Sequence, residues 1–104
     1  MNTYPDVLLH IDGQWRAGRA GQTLAVHDPA TGQHIGSVAV ADTADLDDAL
    51  AAAARGFAQW RRMPAMERAR LMHAAAGLLR ERADAVARLL TQENGKPLAE
   101  AQAE

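Results

Sequence analysis

The chain has 104 residues, of which 48% are hydrophobic and 23% charged, and its net charge is −2. These proportions are typical of one small globular domain and exclude a disordered chain. The absence of cysteine excludes a disulfide framework and a thiol nucleophile within these residues. The charge gives no basic patch and no apolar run reaches ~20 residues, so we expect no nucleic-acid partner, no membrane partner and a cytoplasmic location.

The first part of the chain, residues 1–41, is predicted to form β-hairpins after an unpatterned arm at residues 1–6. A short β-type run ends at Ile11 and is followed by Asp12-Gly13, the dipeptide that favours a type I′ turn with positive φ at both positions. The return strand carries Trp15, which we interpret as a packing residue. A second strand pair is predicted at residues 23–27 and 34–40.

The turn between the second pair of strands has its own chemistry, in the segment Asp28-Pro29-Ala30-Thr31-Gly32. Asp28 is expected to accept a hydrogen bond from the backbone, and Pro29 fixes φ at the next position. Gly32 is expected to adopt the left-handed conformation that closes the turn.

Residues 42–104 are predicted to be helical. The first helix is expected to be capped by Asp42 or Thr43 and to end near Arg61 or Arg62, because Pro64 disfavours helical geometry at Met63. Acidic residues near its start and arginines near its end complement the helix dipole. Apolar residues at helical spacing form a stripe along it: Leu46, Leu50, Ala53, Phe57 and Trp60.

A longer helix is predicted from Pro64 to about Glu93 or Asn94, where Gly95 stops it. It carries a second stripe: Met72, Ala75, Leu79, Ala83, Val86 and Leu90. Two striped helices joined by a short loop are expected to bury their stripes against each other and a third element. Pro97 then opens a third helix that reaches Glu104 uncapped, which suggests a missing continuation.

Several motifs in this order resemble those at the start of a known family. They are Ile11-Asp12-Gly13-Gln14-Trp15, Asp28-Pro29-Ala30-Thr31-Gly32, Ile35-Gly36-Ser37-Val38, Glu67-Arg68-Ala69-Arg70-Leu71 and the run from Thr91 to Ala101. From about Leu8 to Glu104 the chain resembles the N-terminal segment of the NAD(P)-dependent aldehyde dehydrogenase superfamily. The run Gly95-Lys96-Pro97-Leu98-Ala99-Glu100-Ala101 is most similar to bacterial succinate-semialdehyde dehydrogenases.

This resemblance implies an α+β fragment, residues 1–104, that forms an incomplete N-terminal portion of the α/β aldehyde dehydrogenase fold. Its full-length enzyme is implied to oxidise a small-molecule aldehyde, succinate semialdehyde or a related semialdehyde, with NAD or NADP, and to form a homo-oligomer. The family's cysteine is absent here, and its catalytic glutamate and asparagine are implied to lie beyond Glu104. We therefore assign no catalytic or cofactor-binding residue and expect the 104-residue chain alone to be inactive.

One site of the family is implied to reach into the chain. Many members bind a structural monovalent cation through oxygen ligands, which hard cations prefer. The matching positions here are the backbone carbonyl of Val26 and the side chain of Glu93. Many relatives have Asp at the second position, and a surface role for Glu93 at the end of a helix is the alternative interpretation.

Two functions of different classes follow. In the first, the chain is the N-terminal part of an aldehyde dehydrogenase and acts as a scaffold for the rest of the enzyme. In the second, it is a self-contained α+β interaction module without enzymatic activity. If the piece stands alone, apolar surface is expected to be exposed and to cause self-association.

Overall fold

The computed structural model describes residues 4–104, so the first three residues of the expected N-terminal arm lie outside the described part. Four strands precede four helices: β1 (Leu9–Ile11), β2 (Gln14–Arg16), β3 (Thr23–His27), β4 (His34–Ala39), α1 (Thr43–Trp60), α2 (Ala65–Glu81), α3 (Ala83–Asn94) and α4 (Leu98–Ala103). The described residues pack as two compact units, one of residues 4–26 and 34–62, the other of residues 27–33 and 63–104. None of the described helices is both long and apolar enough to cross a bilayer.

The first unit is built on a hairpin and one helix. β1 and β2 pair antiparallel, with His10 opposite Trp15, and the rings of these two residues lie 4.6 Å apart. The turn has φ of 53° at Asp12 and 76° at Gly13, so the predicted type I′ conformation is confirmed. Trp15 is nonetheless 68% exposed, so its expected role as a packing residue is wrong beyond this cross-strand contact.

The second strand pair, β3 with β4, is extended by Val7, the residue that follows the expected arm. Val7 forms an isolated parallel bridge with Val38: it donates to the carbonyl of Ser37 and accepts from the N–H of Ala39, both at 2.8 Å. Ala39 is one of the few buried apolar side chains of the described residues. The residue that follows the arm is therefore held against β4 by two backbone hydrogen bonds.

Helix α1 begins where its capping signal predicted. Asp42 is the N-cap, and its side chain accepts from the N–H of Asp45 at 2.9 Å, while the Asp45 side chain accepts from the N–H of Asp42 at 3.0 Å. This reciprocal pair satisfies two of the N–H groups that a helix start leaves without partners. The helix ends at Trp60 with Arg61 as C-cap, as expected from Pro64.

In the second unit, the turn that precedes β4 has the predicted chemistry. The side chain of Asp28 accepts from the N–H of Ala30 at 2.8 Å, and Gly32 has φ of 72°. Pro64 and Pro97 stand at the N-caps of α2 and α4, and Gly95 closes α3 with φ of 84°. The predicted caps of this unit are confirmed.

The single long helix that we predicted in this unit is wrong. It is interrupted at Arg82, which has φ of −102° and ψ of 7° and separates α2 from α3. The N–H of Arg82 still bonds to the carbonyls of Leu78 and Leu79, at 3.2 Å each, so the helix is interrupted without leaving this donor unpaired. Beyond the break α3 packs mainly on α4, with Ala87 and Ala101 buried and Gln102 donating to Asp84 at 3.3 Å.

The expected burial of the two apolar stripes is also wrong for most of their members, although Trp60 and Leu90 are half-buried. Leu50 and Phe57 of α1 are 69% and 63% exposed, and Met72 and Leu79 of α2 are 63% and 60% exposed. Helical periodicity predicts which face of a helix is apolar, but it does not show that the described residues include an element to cover that face.

Candidate functional site

The most enclosed polar group of the described residues is the carboxylate of Asp45, in the first turn of α1. One oxygen accepts from the backbone N–H groups of Arg19 and Asp42, at 3.0 Å each. The other accepts from the guanidinium of Arg16, at the end of β2, at 2.9 Å. Since a buried charge is tolerated only when it is paired and hydrogen-bonded, this arrangement explains how Asp45 is fully buried.

A second carboxylate joins this cluster. Asp48, one turn further along α1, accepts from Arg16 at 3.0 Å and from Arg19 at 2.6 Å. Asp48 and Arg19 are partly exposed, so this half of the cluster is screened by solvent. Together the four side chains of Arg16, Arg19, Asp45 and Asp48, which we call the Arg–Asp cluster, tie the β1–β2 hairpin and the following loop to α1.

The electrostatics of the Arg–Asp cluster favour the charged form of each member whose pKa changes. The N–H groups of Asp42 and Arg19 hold the pKa of Asp45 below its usual range, and the charge of Arg16 lowers it further. Hydrogen bonds from Arg19 and then Arg16 lower the pKa of Asp48, and the bond to Asp48 raises the pKa of Arg19. Asp45, Asp48 and Arg19 are thus stabilised as charged partners of ion pairs, which is the arrangement of a structural cluster.

Beside the Arg–Asp cluster, a cleft of about 250 Å³ runs between the hairpin and α1. Asp12 and Arg55 form an ion pair across it, with 3.1 Å between oxygen and nitrogen, and both side chains are well exposed. Its other charged lining residues, Arg16 and Asp48, are paired with each other. The cleft thus presents paired charges rather than a group poised to bind an ion.

Close packing of Gly18 holds the loop after the hairpin against the cluster. Gly18 is buried, and a Cβ at this position would lie 2.1 Å from the carbonyl oxygen of Val40 and 3.3 Å from the Asp45 carboxylate. Only glycine allows this approach, which brings the N–H of Arg19 to Asp45.

The two residues predicted from the resemblance to hold a cation lie on separate elements. Val26 is half-buried in β3, and Glu93 is exposed in the last turn of α3. Within residues 4–104, no three His, Asp or Glu side chains come together as a metal-binding group. A site that uses a backbone carbonyl and a further ligand is not tested by that observation, so the cation site stays a prediction.

Sequence reasoning missed the Arg–Asp cluster. It interpreted Asp45 and Asp48 only as charges that complement the helix dipole. The spacing of Asp42 and Asp45 is that of a capping box and was a usable signal for Asp45. The contribution of Arg16 had no such signal, because it lies 29 residues from Asp45 in the chain.

Comparison with known proteins gives one family. A model described as the aldehyde dehydrogenase family matches residues 15–104. The chain is 43% identical to 4-(hydroxymethyl)benzenesulfonate dehydrogenase of Comamonas testosteroni over 96 aligned residues. These residues are 92% of this chain and 20% of that protein.

Solved structures agree. The NAD-dependent aldehyde dehydrogenase of Sinorhizobium meliloti is 31% identical with a TM-score of 0.90, over 95% of this chain and 20% of that one. The NADP-dependent glyceraldehyde-3-phosphate dehydrogenase of Bacillus halodurans, complexed with NADP, is 28% identical with a TM-score of 0.91. The match covers 94% of this chain and 21% of that one. These likenesses confirm the expected fold class, an α+β segment from the N-terminal part of this fold.

Proposed function

Because the chain belongs to the aldehyde dehydrogenase family, we propose that it is the N-terminal segment of an enzyme that oxidises an aldehyde to the carboxylic acid with NAD⁺ or NADP⁺. The observation that carries this proposal is the family match over residues 15–104, together with relatives that are dehydrogenases. The chain spans about a fifth of the length of the relatives it matches. The non-enzymatic interaction module is not favoured by these matches.

The substrate that we propose is a semialdehyde, with succinate semialdehyde as the first candidate. Support comes from the similarity of Gly95-Lys96-Pro97-Leu98-Ala99-Glu100-Ala101 to bacterial succinate-semialdehyde dehydrogenases. The identity to 4-(hydroxymethyl)benzenesulfonate dehydrogenase makes an aromatic sulfonate the second substrate class to assay.

The role that we propose for these 104 residues is to support the rest of the enzyme. They contain no cysteine, so the thiolate that attacks the aldehyde in this family must come from outside them. They also contain no Gly-rich strand-to-helix turn of the dinucleotide-binding type, so we place the NAD(P) site outside them as well. The exposed apolar faces of α1 and α2 are suited to packing against further protein.

We also propose that Val26 and Glu93 contribute to a monovalent cation site in the complete enzyme. The donors are a backbone carbonyl and a carboxylate, and both are oxygens of the kind that hard cations prefer. Replacing Na⁺ by a bulky organic cation is expected to lower the melting temperature of the complete protein. The variant Glu93→Gln should lower it in Na⁺ and remove the difference between the two salts; an unchanged difference would leave Glu93 a surface residue.

One experiment tests the function. The native gene product is purified and its intact mass is measured. NAD(P)H formation is then followed with succinate semialdehyde and with 4-formylbenzenesulfonate, the aldehyde that corresponds to 4-(hydroxymethyl)benzenesulfonate. We expect a product several times longer than 104 residues that reduces NAD⁺ or NADP⁺, and a separately purified 104-residue chain that reduces neither. A native product of 104 residues without activity would overturn the proposal and leave the interaction module. Gel filtration of the same preparation tests the proposed homo-oligomer, and fractionation of the source cells before purification tests the proposed cytoplasmic location.

A further inference from the structure

The first described residues lie along β4. Residues 4–7, which we call the N-terminal strap, run beside the edge of β4 that does not pair with β3. Val7 forms its two backbone hydrogen bonds there, with Ser37 and Ala39, and the side chain of Asp6 accepts from the hydroxyl of Ser37 at 3.1 Å. The strap therefore occupies backbone groups that an open strand edge would present to solvent or to another strand.

The ring of Tyr4 closes the strap onto Gly36. Gly36 is buried in β4, and Tyr4, at the start of the strap, is half-buried. A Cβ at position 36 would clash with Cδ1 of the Tyr4 ring and lie 3.1 Å from its Cε1, whereas the carbonyl oxygen of Pro5 would be at 3.5 Å, an ordinary contact. The ring thus lies directly on the glycine, in the space that any other side chain would begin to fill.

The need for glycine at position 36 comes from this ring and not from the backbone. Gly36 does not have the positive φ that favours glycine, so an L residue can adopt its backbone conformation. At Gly18, by contrast, a Cβ would meet the backbone of Val40, which cannot move aside. The ring of Tyr4 belongs to a segment near the chain terminus, so it can leave its place on Gly36 without disturbing the sheet.

Hydrogen bonds alone hold the strap weakly. Pro5 has no N–H, so the parallel pairing at Val7 cannot gain a donor bond from the next residue that faces β4. The bond between Asp6 and Ser37 is exposed, and water competes for both groups. Terminal segments with few, exposed bonds open more readily than the sheets they contact. The contact of Tyr4 with Gly36 therefore decides how firmly the strap is closed.

We propose that the N-terminal strap opens and closes as a unit over the edge of β4, with Tyr4 as its latch and Gly36 as the seat of that latch. When the strap is closed, it covers the carbonyl of Ser37 and the N–H of Ala39; when it is open, both are accessible. Access to this edge is thus controlled by one side-chain contact. The inference concerns the 104-residue chain and does not rest on the proposed function, so the two can fail separately.

Hydrogen exchange of the Ala39 amide, followed by NMR on the 104-residue chain, measures the opening of the strap. In the parent this N–H is protected by the carbonyl of Val7. We expect Gly36→Ala, which expels the ring, and Tyr4→Ala, which removes it, each to speed the exchange of Ala39 about tenfold, while the amides of the β1–β2 hairpin keep their parent rates. Gly56→Ala is the matched control: it makes the same change in α1, where a Cβ meets no atom within 4 Å, and should leave the exchange of Ala39 unchanged.

The double variant Tyr4→Ala/Gly36→Ala separates the latch from a general effect of alanine in β4. Without the ring the added methyl group has room, so Ala39 should exchange in the double variant at the rate of Tyr4→Ala alone. Tyr4 is the only tyrosine of the chain, so its ring resonances are identified directly and should shift to those of an exposed tyrosine in Gly36→Ala. Unchanged exchange of Ala39 in Gly36→Ala, effects of the two substitutions that multiply in the double variant, or hairpin amides that exchange faster together with Ala39 would each overturn the proposal.

Discussion

The carboxylate of Asp45 connects three parts of the first unit: the helix α1 that carries it, Arg16 on β2 and the backbone of Arg19 in the following loop. Each of these groups approaches from a different segment, so no single neighbour positions it. Removing the carboxylate would leave buried donors without an acceptor, which costs more than the loss of an exposed ion pair. Asp45 is thus the residue on which the attachment of the hairpin to α1 depends most.

This dependence predicts how stability changes with pH. The pKa values of Asp45 and Asp48 are lowered in the folded chain, so each contributes stability that is present above the unfolded-state pKa of about 3.9 and is lost as the pH falls through the folded-state pKa. We expect the melting temperature to be nearly constant from pH 7 to about pH 5 and to fall on further acidification. Calorimetry at a series of pH values from 7 into the acid range measures this melting temperature.

Two substitutions serve as its test and control. Asp45→Asn should lower the melting temperature at pH 7 and reduce its further fall in acid. The amide has one acceptor oxygen, whereas the carboxylate of Asp45 accepts hydrogen bonds with both of its oxygens. Asp47→Asn removes the same charge from an exposed position of the same helix and should leave the acid-dependent loss nearly unchanged. If the melting temperatures of the parent and of Asp45→Asn depended on pH in the same way, Asp45 would not be a source of the acid-dependent loss.

At the level of elements, the sequence predicted the features whose cause is local. Asp12-Gly13, Asp42, Gly95 and Pro97 each act through their own backbone or through neighbours within a turn, so their signals are readable from the chain alone. The break at Arg82 has no such signal, since neither proline nor glycine is present there. It coincides with the point where the chain begins to pack on α4, which is a tertiary effect.

The end of α3 provides a prediction with an internal control. Gly95 has φ of 84°, and a Cβ there would lie 2.8 Å from Cγ of Pro29. Gly95→Ala should therefore lower the free energy of unfolding by about 1–2 kcal/mol. Gly77→Ala in the interior of α2 meets no atom within 4 Å and should raise it by about 0.5–1 kcal/mol. Urea denaturation of both variants measures the difference, and two changes of the same sign would refute this account.

At the level of the whole molecule, the described residues bury few apolar side chains and expose many. The buried apolar residues are Ala39, Ala87 and Ala101, all small, whereas most of the large apolar side chains of α1 and α2 are exposed and Trp60 is half-buried. The pattern of apolar residues could be predicted from the sequence, but its burial could not, because burial depends on what lies against each face. The chain spans a fifth of the length of its relatives, and the longer protein that we propose would supply such a partner surface.

Methionine oxidation tests whether the longer protein that we propose covers α2. Met66 and Met72 are 70% and 63% exposed, whereas Met63, which precedes the helix, is half-buried. Since exposed thioethers are oxidised to sulfoxides most readily, mild peroxide should modify Met66 and Met72 several-fold faster than Met63 in the 104-residue chain. If the longer gene product that we propose packs against α2, both rates should fall there while that of Met63 changes little. Tandem mass spectrometry separates the three sites, and undiminished oxidation of Met66 and Met72 in the longer protein would show that this face stays open to solvent.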